Sequence, residues 1–336
     1  MQIGMGFWPS KVLLTAVKCG LFTVLGAGPL SGVEIREKLG FGCSERHVFD
    51  WLDVMVSLGF LERKGLLQDA IYSNAEDVGF FLDKNKPGYM GGILEMADTR
   101  LYQHWKDLQE GLLTGQQQNE GKGHPQGNME FFAELYKDEH NLKEFVNAMR
   151  GIQTGNFMAL AEKFDFSKYM SFLDVGGADG WLSIQICLRH PGIQCISLDL
   201  PPVKPLAEAL IGQFKLGDRI HPMAGDFLKD PLPSAEIIAM GNILHGMNEE
   251  SKQELLKKVY DALPAGGVFI AIENIIDEDR RQNTFGLLMS LNMLIENGDA
   301  FDYTMADFSK WAKAAGFKRV ESMPLTGPAS AALAYK

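Results

Sequence analysis

The stretch Phe172–Ile186, FLDVGGADGWLSIQI, decides the fold. FLDV has the apolar character of a short buried strand, GGADG is a glycine-rich turn, and WLSIQI repeats apolar residues at helical spacing. A strand that turns tightly into a helix begins a parallel β-α-β unit. The glycines of the turn let the backbone approach a ligand without interference from a Cβ. Asp174, Gly176, Gly177 and Gly180 are therefore candidate binding residues at the carboxyl end of the first strand.

Downstream, strands and helices alternate: QCISLDLP, a helix to Lys215, IHPMAGDF, EIIAMGNIL, a helix to Leu263, GGVFIAIENII, a long helix through Met293, a helix over Met305–Ala315, then KRVESMPL and AALAYK. This alternation predicts an α/β domain over residues 166–336, a mostly parallel, Rossmann-like sheet of seven strands covered on both faces. Ligands of such a sheet lie at the carboxyl ends of its strands.

Asp199 ends the second strand in SLDLP, with Leu200 beside it, where a carboxylate can accept hydrogen bonds from both ribose hydroxyls of an adenine nucleoside. Gly225, Asp226 and Phe227 close the third strand. The carboxylate there suits an adenine amino group and the aromatic ring suits the base, although a turn with an apolar plug would read the same. The dinucleotide pattern G-x-G-x-x-G fails here, because counting from Gly176 meets Ala178 and Trp181 where glycines are needed. D-x-G-x-x-x-G fits, and its leading Asp174 would repel phosphate but favour a cationic sulfonium or amino group. A plain tight turn with no cofactor is the remaining alternative.

The N-terminal part reads differently. Over residues 1–100, Val12, Leu13, Ala16, Val17, Leu21, Phe22 and Leu25 form an apolar stripe. Ser31 precedes a helix over Glu34–Leu39, and Ser44 precedes a third helix in which Val48, Trp51, Leu52, Met55 and Leu58 share a face. ERKGLLQDAIYSN then has the alternation of a hairpin. Three helices and a hairpin are the order of a winged helix, a fold that commonly binds DNA through its third helix. Here that helix carries Glu45, Asp50 and Asp53 against Arg46 and His47, so subunit packing is the preferred reading. Residues 101–165 are mostly helical, interrupted by the polar loop TGQQQNEGKGHPQGN, and are expected to link the two parts and to contribute to a substrate pocket.

Composition narrows the function. A net charge of −11 over 336 residues opposes broad contact with nucleic acid. Mean hydropathy is −0.07 and no apolar run approaches a membrane span. Lys11 and Lys18 break up the N-terminal apolar segment, which argues against a signal peptide and for a cytoplasmic protein. Cys19, Cys43, Cys187 and Cys195 form no CxxC pair and are expected to be buried thiols.

The ordered motifs DVGGADG, LDLPPV, GDFLKDPLP, MGNILHGMNEE, DALPAGGVFIAIE and YTMADFSKWAKAAGF resemble those of the S-adenosylmethionine-dependent O-methyltransferases of the caffeate, acetylserotonin and bacterial small-molecule type. The resemblance covers essentially the whole chain, because that family also begins with a winged-helix-like dimerisation domain. It implies S-adenosylmethionine as cofactor, S-adenosylhomocysteine as product, a homodimer, and a small hydroxylated, aromatic acceptor. By the same resemblance His245 is the general base, Glu273 the carboxylate that orients it, and Asp302 a third acidic position. Asn242 joins the cofactor-binding residues.

The chain departs from the family where Asp and Trp usually follow the histidine: these are Gly246 and Met247. Gly241 likewise replaces a lysine. For the acceptor, Met289, Asn292 and Met293 lie on one helix facing the expected cleft, with Phe145 and Met149 from the linker, and methionine adapts well to flat aromatic surfaces. Three rival readings stay open. Some relatives methylate carbon in α-keto acids using a metal, for which the histidine and aspartate ligands are incomplete here. Others bind the cofactor and support decarboxylation or hydroxylation. A metabolite-sensing transcription regulator is the third.

Overall fold

The computed structural model describes residues 1–86, 88–123 and 135–336. It divides into two compact units, Met1–Gln103 with Asn147–Ile152, and His104–Val146 with Gln153–Lys336. The linker expected over 101–165 is thus shared between the units. Part of the polar loop Gly115–Asn128 lies outside the described residues.

In the first unit the N-terminal apolar stripe is two helices, Phe7–Lys18 and Leu21–Gly26, because Gly20 adopts a left-handed conformation (φ 74°) that a helix interior does not accept. Ser31 and Glu34 form a reciprocal capping box that starts the helix Gly32–Lys38. The helix expected as the third is therefore the fourth, Glu45–Ser57. Val48, Leu52 and Met55 are buried on it as expected, but Leu58 is exposed and Phe49 takes an inner place. Gly32 makes that possible, since a Cβ there would lie 2.5 Å from the Phe49 ring. Strands β1 (Leu30–Ser31), β2 (Leu61–Lys64) and β3 (Ile71–Asn74) pair antiparallel in the order β1-β3-β2. The fully buried Tyr72 donates to Asp53 Oδ1 at 2.9 Å, and Arg63 also meets that carboxylate, at 2.6 Å.

The second unit holds the expected seven-stranded sheet. Its strands are β4 (Ser171–Val175), β5 (Gln194–Asp199), β6 (Ile220–Ala224), β7 (Ile237–Gly241), β8 (Val268–Glu273), β9 (Arg319–Pro324) and β10 (Ser330–Tyr335), in the order β6-β5-β4-β7-β8-β10-β9. β4 to β8 are parallel, while β10 inserts antiparallel between β8 and β9. All six residues of β8 are buried, the continuous apolar run of a strand covered on both faces.

Phe172, Ile237, Ala239, Ile270 and Ile272 pack on one face with Leu182 and Ile186 of the helix Trp181–Arg189. Leu173, Val175, Ile238, Met240 and Phe269 pack on the other with Leu255, Val259, Phe308 and Trp311. The order of connection reverses between β4 and β7, which opens a crevice at their carboxyl ends.

Cys187 and Cys195 are buried, with sulfurs 3.5 Å apart. Cys19 is half-buried, and Cys43, expected to be buried, is exposed in the short turn ahead of the helix Glu45–Ser57. Among the described residues no helix is long and apolar enough to cross a membrane.

Candidate active site

The glycine turn after β4 folds back onto β5: the Gly176 and Gly177 amides both donate to the Leu198 carbonyl, at 2.8 and 3.1 Å. Gly176 and Gly180 have positive φ, and Ala178 adopts φ 48°, a strained value for a residue with a side chain. A side chain at Gly177 would force its neighbours to shift, since a Cβ would stand 2.3 Å from Ser197 Oγ and 2.9 Å from Asp174 Cγ. Asp174 lies buried under the turn, taking a hydrogen bond from Ser183 Oγ, and burial pushes its carboxyl up to about 7.

Asp199 binds the same turn from the neighbouring strand. Its Oδ2 accepts from the Ala178 amide at 2.8 Å and its Oδ1 from the Leu200 amide at 2.7 Å, so the carboxylate is fixed while keeping spare lone pairs. Desolvation raises its pKa to about 6, against the pull of those two amides. Tyr136, which carried no motif in the sequence, packs with Leu142, Val146, Val203, Ala178 and Leu206 close enough for Asp199 to raise its hydroxyl pKa further, beyond the effect of burial.

Gly225 follows β6. Asp226 is paired with Lys229 at 3.0 Å, and Phe227 stands within 3.9 Å of where a Gly176 Cβ would be. At the end of β7, Asn242 takes a left-handed φ of 54° while its amide donates to the Ile272 carbonyl. A rigid carboxylate, a glycine-rich turn and an aromatic ring, all at the ends of adjacent parallel strands, fit the ribose and base of a nucleoside. Ser197 Oγ is a further buried polar atom with no hydrogen-bond partner beneath that turn.

His245 occupies one turn of 3-10 helix, Leu244–Gly246, immediately beyond β7. Glu273, the last residue of β8, holds that turn by its backbone: Oε1 accepts from the Leu244 amide at 3.0 Å and the His245 amide at 3.4 Å. Its Oε2 lies 3.9 Å from His245 Nδ1, and Asp302 Oδ1 lies 3.6 Å from the same nitrogen. These are ion-pair separations, longer than hydrogen bonds. All three side chains are buried, and the facing donor and acceptor atoms lie within 4.8 Å of one another, close enough for their charges to couple strongly.

Burial by itself would lower the imidazole pKa, but the Glu273 and Asp302 carboxylates outweigh it and raise it to about 9. Desolvation pushes Glu273 up to about 7, with the imidazole opposing the rise. At the two positions that depart from the family pattern, the backbone carbonyls are held instead: Gly246 by Asn297 Nδ2 at 3.4 Å and Met247 by the Lys252 ammonium.

The helix Thr284–Asn297 packs against the histidine turn. On it Asn292 Oδ1 accepts from Trp105 Nε1 at 2.8 Å, so the amide orientation is fixed and its NH₂ points towards Met289 Sδ, 4.0 Å away. Met293 is buried one residue on, its sulfur 3.8 Å from Asn297 Nδ2. Met289, Asn292 and Met293 thus gather on one helix beside the imidazole, together with Trp105, which sequence reasoning did not single out. Phe145 is half-buried in the same unit, whereas Met149 belongs to the first unit.

A doubly wound sheet with a nucleoside-shaped turn and an imidazole set against two carboxylates defines a group-transfer enzyme of the Rossmann-like α/β class. Residues 105–318 match the family model of the O-methyltransferase domain, and residues 1–83 match that of the O-methyltransferase dimerisation domain. The chain belongs to the S-adenosylmethionine-dependent O-methyltransferase family, and its cofactor is S-adenosylmethionine.

It is 35% identical over 336 residues to the tetracenomycin polyketide synthesis 8-O-methyl transferase TcmO of Streptomyces glaucescens, covering 100% of this chain and 96% of the relative. It is 29% identical over 318 residues to the N,N-dimethyltransferase OxyT of Streptomyces rimosus, covering 95% and 90%. Among solved structures it superposes on human N-acetylserotonin methyltransferase in complex with SAM with a TM-score of 0.90 at 27% identity, covering 100% and 96%.

Proposed function

We propose that the enzyme transfers the methyl group of S-adenosylmethionine to a hydroxyl of a small aromatic acceptor, with His245 as general base and Glu273 and Asp302 as the carboxylates that orient it. The observation that carries this reading is the buried imidazole whose Nδ1 faces both carboxylates. A proton held on Nδ1 by that charge leaves Nε2 as the acceptor. The bound cofactor supplies a methyl group on a positively charged sulfur, open to attack by an oxygen lone pair.

Asp174, Gly176, Gly177, Gly180, Asp199, Leu200, Gly225, Asp226, Phe227 and Asn242, with Tyr136, hold the cofactor. Met289, Asn292 and Met293 hold the acceptor: the methionine sulfurs lie against its ring and the fixed Asn292 amide donates to one of its oxygens. As the oxygen attacks, its proton passes to His245 Nε2, and the positive charge gained by the imidazole is met by Glu273 and Asp302. Relatives that include a tetracenomycin polyketide 8-O-methyl transferase and a 3-hydroxy-5-methyl-1-naphthoate 3-O-methyltransferase support an aromatic hydroxyl. The dimerisation-domain match, with Phe7 and Trp8 exposed on the first helix, supports a homodimer.

The test is turnover of methyl-labelled S-adenosylmethionine by wild type and His245→Ala on a panel of phenols, with cofactor affinity measured by calorimetry. The variant is expected to keep its cofactor affinity and to lose roughly 10²- to 10⁴-fold in turnover, the usual contribution of a general base. Full turnover in the variant would remove His245 from the mechanism.

A further inference from the structure

Lys252 is fully buried on the helix Glu249–Ala262, on the face that also carries Leu255, Leu256 and Val259. Its ammonium donates to the Met247 carbonyl and lies 3.5 Å from the centre of the Phe301 ring, with the Tyr303 and Trp311 rings at 5.8 and 5.7 Å. Among the described residues no carboxylate forms an ion pair with it. Lysine is rarely buried without a paired charge, because desolvating the ammonium is unfavourable. One carbonyl and an aromatic face offset only part of that. The groups enclosing the ammonium are chain neighbours of the catalytic cluster: Met247 follows His245 by two residues, and Phe301 and Tyr303 flank Asp302.

We propose that Lys252 is a positioning residue for methyl transfer, a buried positive charge behind the His245–Glu273–Asp302 cluster that balances its second carboxylate and so lets the imidazole release a proton. The inference rests on the reading of His245 as base. With both carboxylates ionised, the imidazolium and the ammonium bring the cluster to neutrality. Loss of one proton then leaves a single uncompensated negative charge. Without Lys252 the same loss leaves two.

The other charges around the group are few and mostly engaged. Glu249 Oε1 accepts from Trp311 Nε1 and from Lys310, at 2.9 and 3.3 Å, and Asp299 Oδ2 accepts from Asn248 Nδ2 at 2.8 Å. On the helix Thr284–Asn297, the Glu296 carboxylate has its Oε2 3.5 Å from Asn119 Nδ2, which also donates to the Glu296 backbone carbonyl at 2.8 Å. Strand β7 brings no titratable side chain. Burial lowers the Lys252 pKa to about 8, against the pull of Glu273, Asp302, Asp299 and Glu249, and Lys252 in turn opposes the rise at His245. Imidazole and ammonium therefore share the first proton the cluster loses, and its titration belongs to the group as a whole.

The experiment compares full-length wild type, Lys252→Met, Lys252→Gln and Lys252→Arg. The His245 imidazole is titrated by NMR with labelled histidine and assigned with His245→Asn, and kcat/KM is measured across pH. Methionine keeps the length and apolar stem while removing the charge, and glutamine serves if methionine does not fold. The expected result is that the imidazole titration and the acid limb of kcat/KM move upward together by about one pH unit in the neutral variants, close to tenfold in kcat/KM on that limb. Lys252→Arg should restore both.

An unmoved imidazole titration in a folded neutral variant overturns the proposal, as does a loss of activity equal at every pH. If His245 is not the base, His245→Ala keeps its turnover while the NMR shift in Lys252→Met persists. The two failures are thereby distinguished.

Discussion

Replacing Glu273 by Gln separates the two tasks of that side chain. Oε1 holds the Leu244 and His245 amides, and a glutamine oxygen accepts the same two bonds, so the histidine turn keeps its shape. What is lost is a negative charge whose Oε2 lies 3.9 Å from His245 Nδ1. At an effective dielectric of about 20, that separation is worth about 4 kcal/mol, or about three pKa units, and burial and water penetration bring the usual range to about one to three.

In the wild type the acid limb of kcat/KM follows the His245 imidazole, which the two carboxylates raise to about 9 against burial. In Glu273→Gln the limb falls by one to three units. The base form of the imidazole is then more populated at pH 7 than in wild type, although the plateau rate drops because the imidazolium formed in the reaction has lost one counter-charge. The assay is kcat/KM from pH 5.5 to 9.5 with calorimetric cofactor affinity alongside. A limb that stays in place, or that moves upward, refutes the electrostatic account of this site.

Gly177→Ala places a methyl 2.3 Å from Ser197 Oγ, and overpacking of this kind destabilises by about 1–3 kcal/mol, lowering Tm by about 2–10 °C; cofactor affinity should fall as well, and unchanged calorimetric and melting data would contradict the turn geometry. Trp8→Glu puts a carboxylate on an exposed aromatic position of the dimerisation domain, so light scattering should show a shift towards monomer; an unchanged mass would take that helix out of the interface. Turnover should survive dialysis against EDTA, since the two carboxylates are balanced by His245 and Lys252, and activity that vanished and returned with a divalent cation would contradict that balance.

Much of the second unit was legible in the sequence because its signals are local. The turn from Asp174 to Gly180, the acidic residue ending β5 and the apolar run of β8 each follow from residue type and spacing. Tyr136 was not, because it reaches Asp199 only through the packing of Leu142, Val146 and Val203. Lys252 carries no motif in EESKQELLKK, although its spacing from Leu255, Leu256 and Val259 puts it on the buried stripe. In the first unit Gly20 broke a stripe that apolar periodicity alone joined together. The exchange of Leu58 for Phe49 came from the space left by Gly32, a tertiary effect that helical spacing does not contain.

The central claim is transfer of a methyl group to oxygen. One measurement tests it most directly: incubating the enzyme with ¹³C-methyl S-adenosylmethionine and a mixed panel of phenols, aromatic amines and α-keto acids, then locating the label by NMR and mass spectrometry. The account predicts the label on phenolic oxygen, dependent on His245. Label on nitrogen or carbon, with the phenols untouched, would contradict it.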